Sequence, residues 1–177
     1  MDFFTAPTAT FRLLYCFFVI SHDRRKIARF NATEHPTSQW VVQQLREAFP
    51  EETAPKYLIL DRDKKFGSDV TEMLKAMEIR IKRTAYRSPW QNGVAERRVG
   101  SCRRDRLDHM SVFNEAHLRR LVREYIRYYH EDRTQDGLVK DTPDHRPVER
   151  RKHQQDKLVS LPRLGGLHHR YQWELSA

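Results

Sequence analysis

The first third of the chain contains three stretches dominated by aromatic and β-branched residues. They read DFFTA, FRLLYCFFVISH and KIARFNAT, and are separated by Pro7-Thr8 and by a charged turn at residues 22–25. Residues of this type favour strands, and Pro and charged clusters favour turns. Because short turns join neighbouring antiparallel strands, the pattern predicts a three-stranded antiparallel sheet. The middle stretch is apolar on both faces, so we place it inside the sheet.

The following part of the chain alternates short apolar strands with segments whose apolar residues recur at helical spacing. Strands are predicted at KYLIL and IRIKR, and helices at residues 37–49, 69–77, 94–108 and 115–130. Thr37 and Asn114 are the expected N-caps of the first and last helices. The expected buried stripe of the last helix consists of Leu118, Leu121, Val122, Tyr125 and Tyr129.

This order of elements predicts an α/β domain with a mixed sheet, in which three antiparallel strands precede βαβ units and helices flank the sheet. After residue 131 the periodicity fades and Pro, His and charged residues accumulate. We therefore expect a core at residues 1–130, with a first strand that is truncated at the N-terminus. Residues 131–177 are expected to form an extended C-terminal tail that wraps the domain or is partly disordered.

The composition points to a polyanionic partner and excludes several classes of protein. Among the 177 residues, 33 Lys and Arg face 24 Asp and Glu, which gives a net charge of +9. The longest apolar run, Leu13–Ile20, is far shorter than the ~18 residues of a membrane span, so no membrane partner is expected. Two cysteines without a CxxC pair favour a reducing, cytoplasmic compartment. A purely solubilising charge remains the alternative.

Three acidic residues occupy positions where catalytic groups collect. Asp2 lies in the first predicted strand, Asp61 directly follows the strand KYLIL, and Glu96 lies in the first turn of a helix. Carboxylates that converge from two strands and a helix would hold Mg²⁺ or Mn²⁺. Two such ions would activate a water or a 3′-hydroxyl for attack on a phosphodiester. The alternative is that each acid belongs to a solvated turn or a helix cap.

Several motifs resemble the integrase core of bacterial insertion-sequence transposases. These motifs are DFFT at the start, LDRD at 60–63, SPWQNGVAERRVGSCRRDRLDH at 88–109 and YHEDRTQDGLVKDTP after the last helix. The relatives are DDE transposases, related to retroviral integrases and built on a ribonuclease H-like fold. The resemblance covers about residues 2–145. It implies a ribonuclease H-like mixed sheet, DNA cleavage and strand transfer, and two Mg²⁺ or Mn²⁺ ions.

Carried over residue by residue, the resemblance makes Asp2, Asp61 and Glu96 the catalytic metal ligands. The separation of the last two, 96 − 61 = 35, fits the spacing of the family. Asp63 is a competitor of Asp61, and we expect it to be exposed or to act indirectly. We expect Asn92 either to cap the following helix and orient Glu96 or to contact the substrate. Gly93 is expected to permit a tight backbone path.

The resemblance also indicates where DNA would bind. An arginine cluster surrounds the helix of Glu96, and guanidinium groups suit a phosphate backbone. Trp90 would stack on an unpaired base or pack under its loop. The alternative for these basic residues is that they form a solvated charged face. The expected DNA contacts are Lys64, Lys65, Lys82, Arg83, Arg87, Trp90, Asn92, Arg97, Arg98, Arg103 and Arg104.

Two hypotheses follow from the sequence. In the first, the chain is the catalytic core of a DDE transposase that acts on transposon ends and target DNA, as a homo-multimer and in association with the nucleoid. In the second, it is an inactive, truncated transposase remnant that only binds DNA. The second is motivated by Asp2, because members of the family have residues before this aspartate that complete the first strand.

Overall fold

The computed structural model of the protein describes residues 1–50 and 53–175. Its first three strands are β1 (Asp2–Pro7), β2 (Leu13–Ile20) and β3 (Ile27–Thr33). They pair antiparallel in the order β1-β2-β3, so the doubly apolar strand is central, as predicted. Asp2 lies opposite Phe18 in this register.

A separate pair of strands is parallel. It consists of β4 (Tyr57–Leu60) and β5 (Arg80–Arg83), with Tyr57 opposite Arg80. The α-amino group of Met1 donates a hydrogen bond of 2.9 Å to the backbone oxygen of Ile59. The start of β1 therefore lies beside β4, and the two parts together form the predicted mixed arrangement.

Four helices flank the strands. They are α1 (Ser38–Ala48), α2 (Ser68–Ala76), α3 (Gly93–Asp105) and α4 (Glu115–Glu131). The hydroxyl of Thr37 accepts from the backbone N–H of Trp40, and the side chain of Asn114 accepts from that of His117. Both predicted N-caps are confirmed. The helix of Glu96 ends at Asp105, three residues before the predicted end, and a short 3₁₀ turn follows.

The central strand separates two hydrophobic clusters. Cys16 and Phe18 face one cluster, together with the buried stripe of α4, which is confirmed in all five of its predicted residues. Phe17 and Val19 face the other cluster, which includes residues of α1 and α2. Because successive side chains of a strand point to opposite faces, a strand covered on both sides must be apolar throughout. This accounts for the sequence of β2.

The C-terminal region contains a β-hairpin that the sequence did not predict. Strands β6 (Asp156–Arg163) and β7 (His168–Leu175) pair antiparallel, and their turn places Gly165 at φ 72° and Gly166 at φ 91°. Glycine adopts this left-handed conformation without steric cost. The division of the chain at residue 130 stays a prediction. Among the described residues, no helix is long and apolar enough to cross a membrane.

Candidate functional site

Asp2 is the most enclosed of the three predicted catalytic acids. Only 8% of the residue is exposed. Its Oδ1 accepts from the backbone N–H of Phe3 at 2.8 Å, and its Oδ2 accepts from Nδ2 of Asn92 at 3.1 Å. Asn92 is itself buried and also donates to the backbone oxygen of Met1 at 3.3 Å. The amide of Asn92 thus ties the start of β1 to the start of α3.

This contact replaces the role in helix capping that was expected of Asn92. The Asn92 side chain makes no capping hydrogen bond to α3. The expectation of a tight backbone at Gly93 is also not met. Its φ is −60°, and a Cβ added there would meet no atom within 4 Å. Asn92 is therefore a positioning residue for Asp2, and the backbone conformation at Gly93 is open to other residues.

The carboxylate of Asp2 lies in an environment of excess negative charge. Its pKa is raised to about 6, mainly because burial penalises the charged form, and the charges of Asp61 and Glu96 add to the rise. The hydrogen bond from Phe3 and the nearby α-amino group act against it. Burial also lowers the pKa of that amino group to about 6. The fold therefore brings the three acids close enough for Asp2 to respond to both of the others.

Asp61 and Asp63 differ in what they bind. Asp61 is half-buried directly after β4, and its Oδ1 accepts from the backbone N–H of Asp63 at 3.1 Å. Asp63 forms an ion pair with Lys65, whose Nζ lies 2.6 Å from Oδ2 of Asp63. The backbone nitrogen of Lys65 also donates to Oδ1 of Asp63 at 2.9 Å. Since a paired carboxylate is less free to bind a cation, this difference supports Asp61 over Asp63 as a ligand.

Glu96 is exposed in the first turn of α3. Across residues 1–50 and 53–175, no three His, Cys, Asp or Glu side chains are arranged as a metal-binding group. The three acids thus share one end of the fold without forming a closed ligand shell. Their oxygen donors are those that Mg²⁺ and Mn²⁺ prefer, and a cation would offset both the burial of the Asp2 carboxylate and the nearby charges of Asp61 and Glu96. The donor set therefore fits the expected ions.

Four of the predicted DNA contacts are engaged within the protein, and the buried Asn92, bound to Asp2, is the first of them. Arg98 is 6% exposed, and its guanidinium carbon lies 3.8 Å from the centre of the Tyr129 ring. Arg103 donates to the backbone oxygen of Thr5 at 2.7 Å. Lys65 is paired with Asp63, as described above. Arg98 thus cannot lie on an open DNA-binding face, because α4 covers it, and this expectation is corrected.

The remaining predicted contacts lie at the surface, and two of them, Arg87 and Trp90, are on the loop before α3. Trp90 is 73% exposed, so the alternative that it packs under its loop is wrong. Tyr86 is 72% exposed beside it in sequence, and the guanidinium carbon of Arg87 lies 5.1 Å from its ring centre. Tyr86 is not among the predicted DNA contacts, although an aromatic residue in a basic loop rich in turn residues is typical of a surface on which bases stack. The remaining exposed contacts are Lys64, Lys82, Arg83, Arg97 and Arg104.

Comparison with known proteins identifies this architecture. Residues 77–143 match the family model of the integrase core domain. This segment includes Asn92 and Glu96, whereas Asp2 and Asp61 lie outside it. A search of curated proteins finds no match.

Solved structures share the fold at low sequence identity. The catalytic core domain of HTLV-2 integrase, in complex with magnesium and in a trimeric form, has a TM-score of 0.63 at 10% identity, covering 80% of this chain and 89% of that chain. A chain of the simian T-cell lymphotropic virus intasome, in complex with PP2A regulatory subunit B56 gamma, has a TM-score of 0.68 at 12% identity. That match covers 98% of this chain but only 64% of the intasome chain.

The catalytic core domain of BIV integrase has a TM-score of 0.57 at 17% identity, and the match covers 80% of this chain and 88% of that chain. The mixed α/β arrangement, with three antiparallel strands and flanking helices, is the ribonuclease H-like fold of integrase catalytic cores. The chain thus has the fold of integrase catalytic cores, and residues 77–143 match the integrase core domain.

Proposed function

We propose that the protein catalyses metal-dependent cleavage and strand transfer of DNA, as a transposase or integrase core. The observation that carries the proposal is the buried hydrogen bond between Asn92 and Asp2. It fixes the first acid of the sheet against the helix that bears Glu96. The charges of Asp61 and Glu96 both contribute to the raised pKa of Asp2, which supports a site that contains all three carboxylates.

Asp2, Asp61 and Glu96 would hold two Mg²⁺ or Mn²⁺ ions, in keeping with the magnesium in the HTLV-2 integrase core. When bound, such ions activate an attacking water or 3′-hydroxyl and stabilise the leaving oxygen of a phosphodiester. The protein itself orients the donors. Asn92 holds Oδ2 of Asp2, and the backbone of Phe3 holds Oδ1, so the carboxylate is fixed before any ligand arrives.

The exposed residues around the loop before α3 would bind the DNA. Trp90 and Tyr86 offer aromatic faces on which unpaired bases can stack. The neighbouring lysines and arginines would contact backbone phosphates without regard to sequence. The trimeric form of the HTLV-2 core and the intasome assembly of the simian virus protein support a homo-multimer on paired transposon ends.

The test is a strand-transfer assay on labelled DNA that carries the terminal sequences of the encoding element, with Mg²⁺ or Mn²⁺. The variants are Asp2→Asn, Asp61→Asn and Glu96→Gln. Each is expected to lower the rate by at least about 100-fold, because each removes a charged donor that stabilises the transition state. Asp63→Asn is the matched control, since its carboxylate is held by Lys65, and it should keep most of the activity.

Metal binding provides a second measurement that does not depend on activity. Titration with Mn²⁺ should broaden the NMR signals of Asp2, Asp61 and Glu96, and Glu96→Gln should weaken the effect. Retention of full activity in all three variants would refute the catalytic proposal. If the protein binds DNA without metal-dependent cleavage, and Glu96→Gln changes nothing, the alternative of a DNA-binding protein without activity holds.

A further inference from the structure

A cluster of arginines lies on and beside α3, the helix that also bears Glu96. It surrounds a cavity of about 180 Å³ that is bounded by α3, the turn between β2 and β3, and the segment after α4. Arg25 and Arg133 come from the two connecting segments, and Ser101 lies on α3. The arginines that line this cavity are Arg25, Arg97, Arg98, Arg104 and Arg133.

The positive charge of this arginine cavity is not balanced. In the part of the chain that the structure describes, the single carboxylate paired with any of the five arginines is that of Asp105, 3.3 Å from Nη2 of Arg133. Five guanidinium groups around one small space repel one another at close range. Because guanidinium groups stay charged at any ordinary pH, an anion is the means of relieving this repulsion.

One of these arginines has an unused donor at the buried end of the cavity. Arg98 is 6% exposed, and no acceptor lies within hydrogen-bonding distance of its Nε. Its guanidinium plane is held by the ring of Tyr129 at 3.8 Å. A buried donor without a partner lowers the stability of the fold by about 1–3 kcal/mol, and a bound acceptor would remove this penalty.

The position of Arg25 depends on a glycine from another part of the chain. A Cβ on Gly137 would lie 2.0 Å from Nη2 of Arg25 and 2.6 Å from its Cζ. Only a residue without a side chain lets the guanidinium occupy this place. Arg25, which lines the cavity, also has a left-handed backbone conformation at φ 58°.

We propose that this cavity binds a phosphate group. Guanidinium forks match phosphate oxygens in geometry and charge, and the hydroxyl of Ser101 and the Nε–H of Arg98 add polar groups at the inner wall. On α3 the cavity side chains lie about a third of a turn from Glu96. Arg97 and Arg104 also belong to the surface proposed to bind DNA, so the inference rests in part on the proposed function and adds a phosphate site to it.

The direct test is titration of the whole chain with inorganic phosphate, against potassium chloride of equal ionic strength. With ¹⁵N-labelled arginine, the Nε–H signal of Arg98 should shift saturably with phosphate and not with chloride. The signal is assigned with Arg98→Lys, and circular dichroism checks that each variant is folded. Absence of a saturable shift would overturn the proposal.

Three variants test which residues form the site. Arg104→Gln and Arg25→Gln each remove one positive charge from the lining of the cavity, so each should weaken phosphate binding about tenfold. The side chain of Arg104 is exposed, so this variant should fold normally. Gly137→Ala should weaken it similarly without any change in charge, because it displaces Arg25. Arg120→Gln on the exposed face of α4 is the control. An equal loss in Arg120→Gln would mean that phosphate binds by general charge, and would overturn the proposal.

The source of the phosphate is distinguished by adding double-stranded DNA. If DNA displaces inorganic phosphate, and Arg25→Gln lowers the salt dependence of DNA binding by about one phosphate contact, the ligand is a DNA backbone phosphate. If DNA leaves phosphate binding unchanged, the ligand is a free phosphate. Both results support a phosphate site, and neither requires that the protein be catalytically active.

Discussion

At the scale of single residues, the position of the Asp2 carboxylate depends on one uncharged side chain, that of Asn92. Asn92 holds the carboxylate of Asp2 through one donor and the backbone of Met1 through the same nitrogen. Its neighbour Gly93 has ordinary helical geometry and open space around it. Substitution should therefore be harmful at Asn92 and tolerated at the adjacent Gly93.

We predict that Asn92→Ala impairs both stability and activity. Loss of the buried donor leaves Asp2 with fewer partners, which costs about 1–3 kcal/mol of unfolding free energy. If Asp2 is a metal ligand, strand transfer should fall at least tenfold and require a higher Mn²⁺ concentration. The measurements are urea unfolding and the metal dependence of the rate.

Gly93→Ala is the matched control for Asn92→Ala. Because Gly93 has a negative φ and an added Cβ meets nothing, alanine should keep or slightly raise stability by reducing the entropy of the unfolded chain. If Gly93→Ala were as damaging as Asn92→Ala, the damage would come from the turn as a whole. The positioning role of Asn92 would then be refuted.

At the scale of elements, the edge strand β3 is joined to the end of α4 through a histidine. The backbone N–H of Ile27 donates to Nε2 of His130 at 2.9 Å. Burial lowers the pKa of His130, chiefly by penalising the charged ring. Protonation of Nε2 would also replace the acceptor by a donor that faces the N–H of Ile27. The contact therefore requires a neutral ring.

This contact predicts a loss of stability in mild acid. Between the lowered pKa and the ordinary value of 6.5, the unfolded chain binds more protons than the folded one, so stability falls as the pH drops through 6.5. His130→Gln keeps an acceptor but does not titrate. It should reduce the slope of unfolding free energy against pH between 7 and 5, measured by urea unfolding.

The exposed His169→Gln on β7 is the control for His130→Gln, because it removes a histidine at the surface. It should leave the slope close to that of the original protein. A slope that responds equally to both substitutions would show that the effect comes from the number of histidines and not from the contact with Ile27.

At the scale of the whole molecule, a buried acid links the C-terminal hairpin to the end of α4. The side chain of Asp132, at the end of α4, is 2% exposed. It lies 2.5 Å from Nε of Arg163 on β6 and 3.4 Å from Nη1 of Arg170 on β7. Buried charges are costly to leave unpaired, so these contacts strongly favour one position of the hairpin.

We predict that Asp132→Asn loosens the hairpin and leaves the core strands folded. The lost charge leaves Arg163 without its carboxylate and Arg170 with Glu149 alone, at a cost of about 2–3 kcal/mol. Amide hydrogen exchange should increase in β6 and β7 and stay unchanged in β2. Asp136→Asn, whose pair with Lys140 is exposed, is the control. Equal exchange in hairpin and core would mean that Asp132 stabilises the fold as one unit.

The sequence by itself determined the features that depend on neighbouring residues. Strand β2, the N-caps Thr37 and Asn114 and the buried stripe of α4 all follow from periods of two or 3.6 residues and from local hydrogen bonds. The hairpin escaped prediction because its strands are largely exposed, so that no apolar face marked them. Its position depends on Asp132, more than twenty residues away in sequence.

Only the tertiary structure decided which distant side chains meet. It joined Asn92 to Asp2, turned Arg98 onto Tyr129 and left Trp90 in solvent. It also gathered arginines from three segments around one cavity. Local pattern shows that a residue is polar, but the partner of a buried polar group is set by packing between elements, because the group must be satisfied wherever the fold places it.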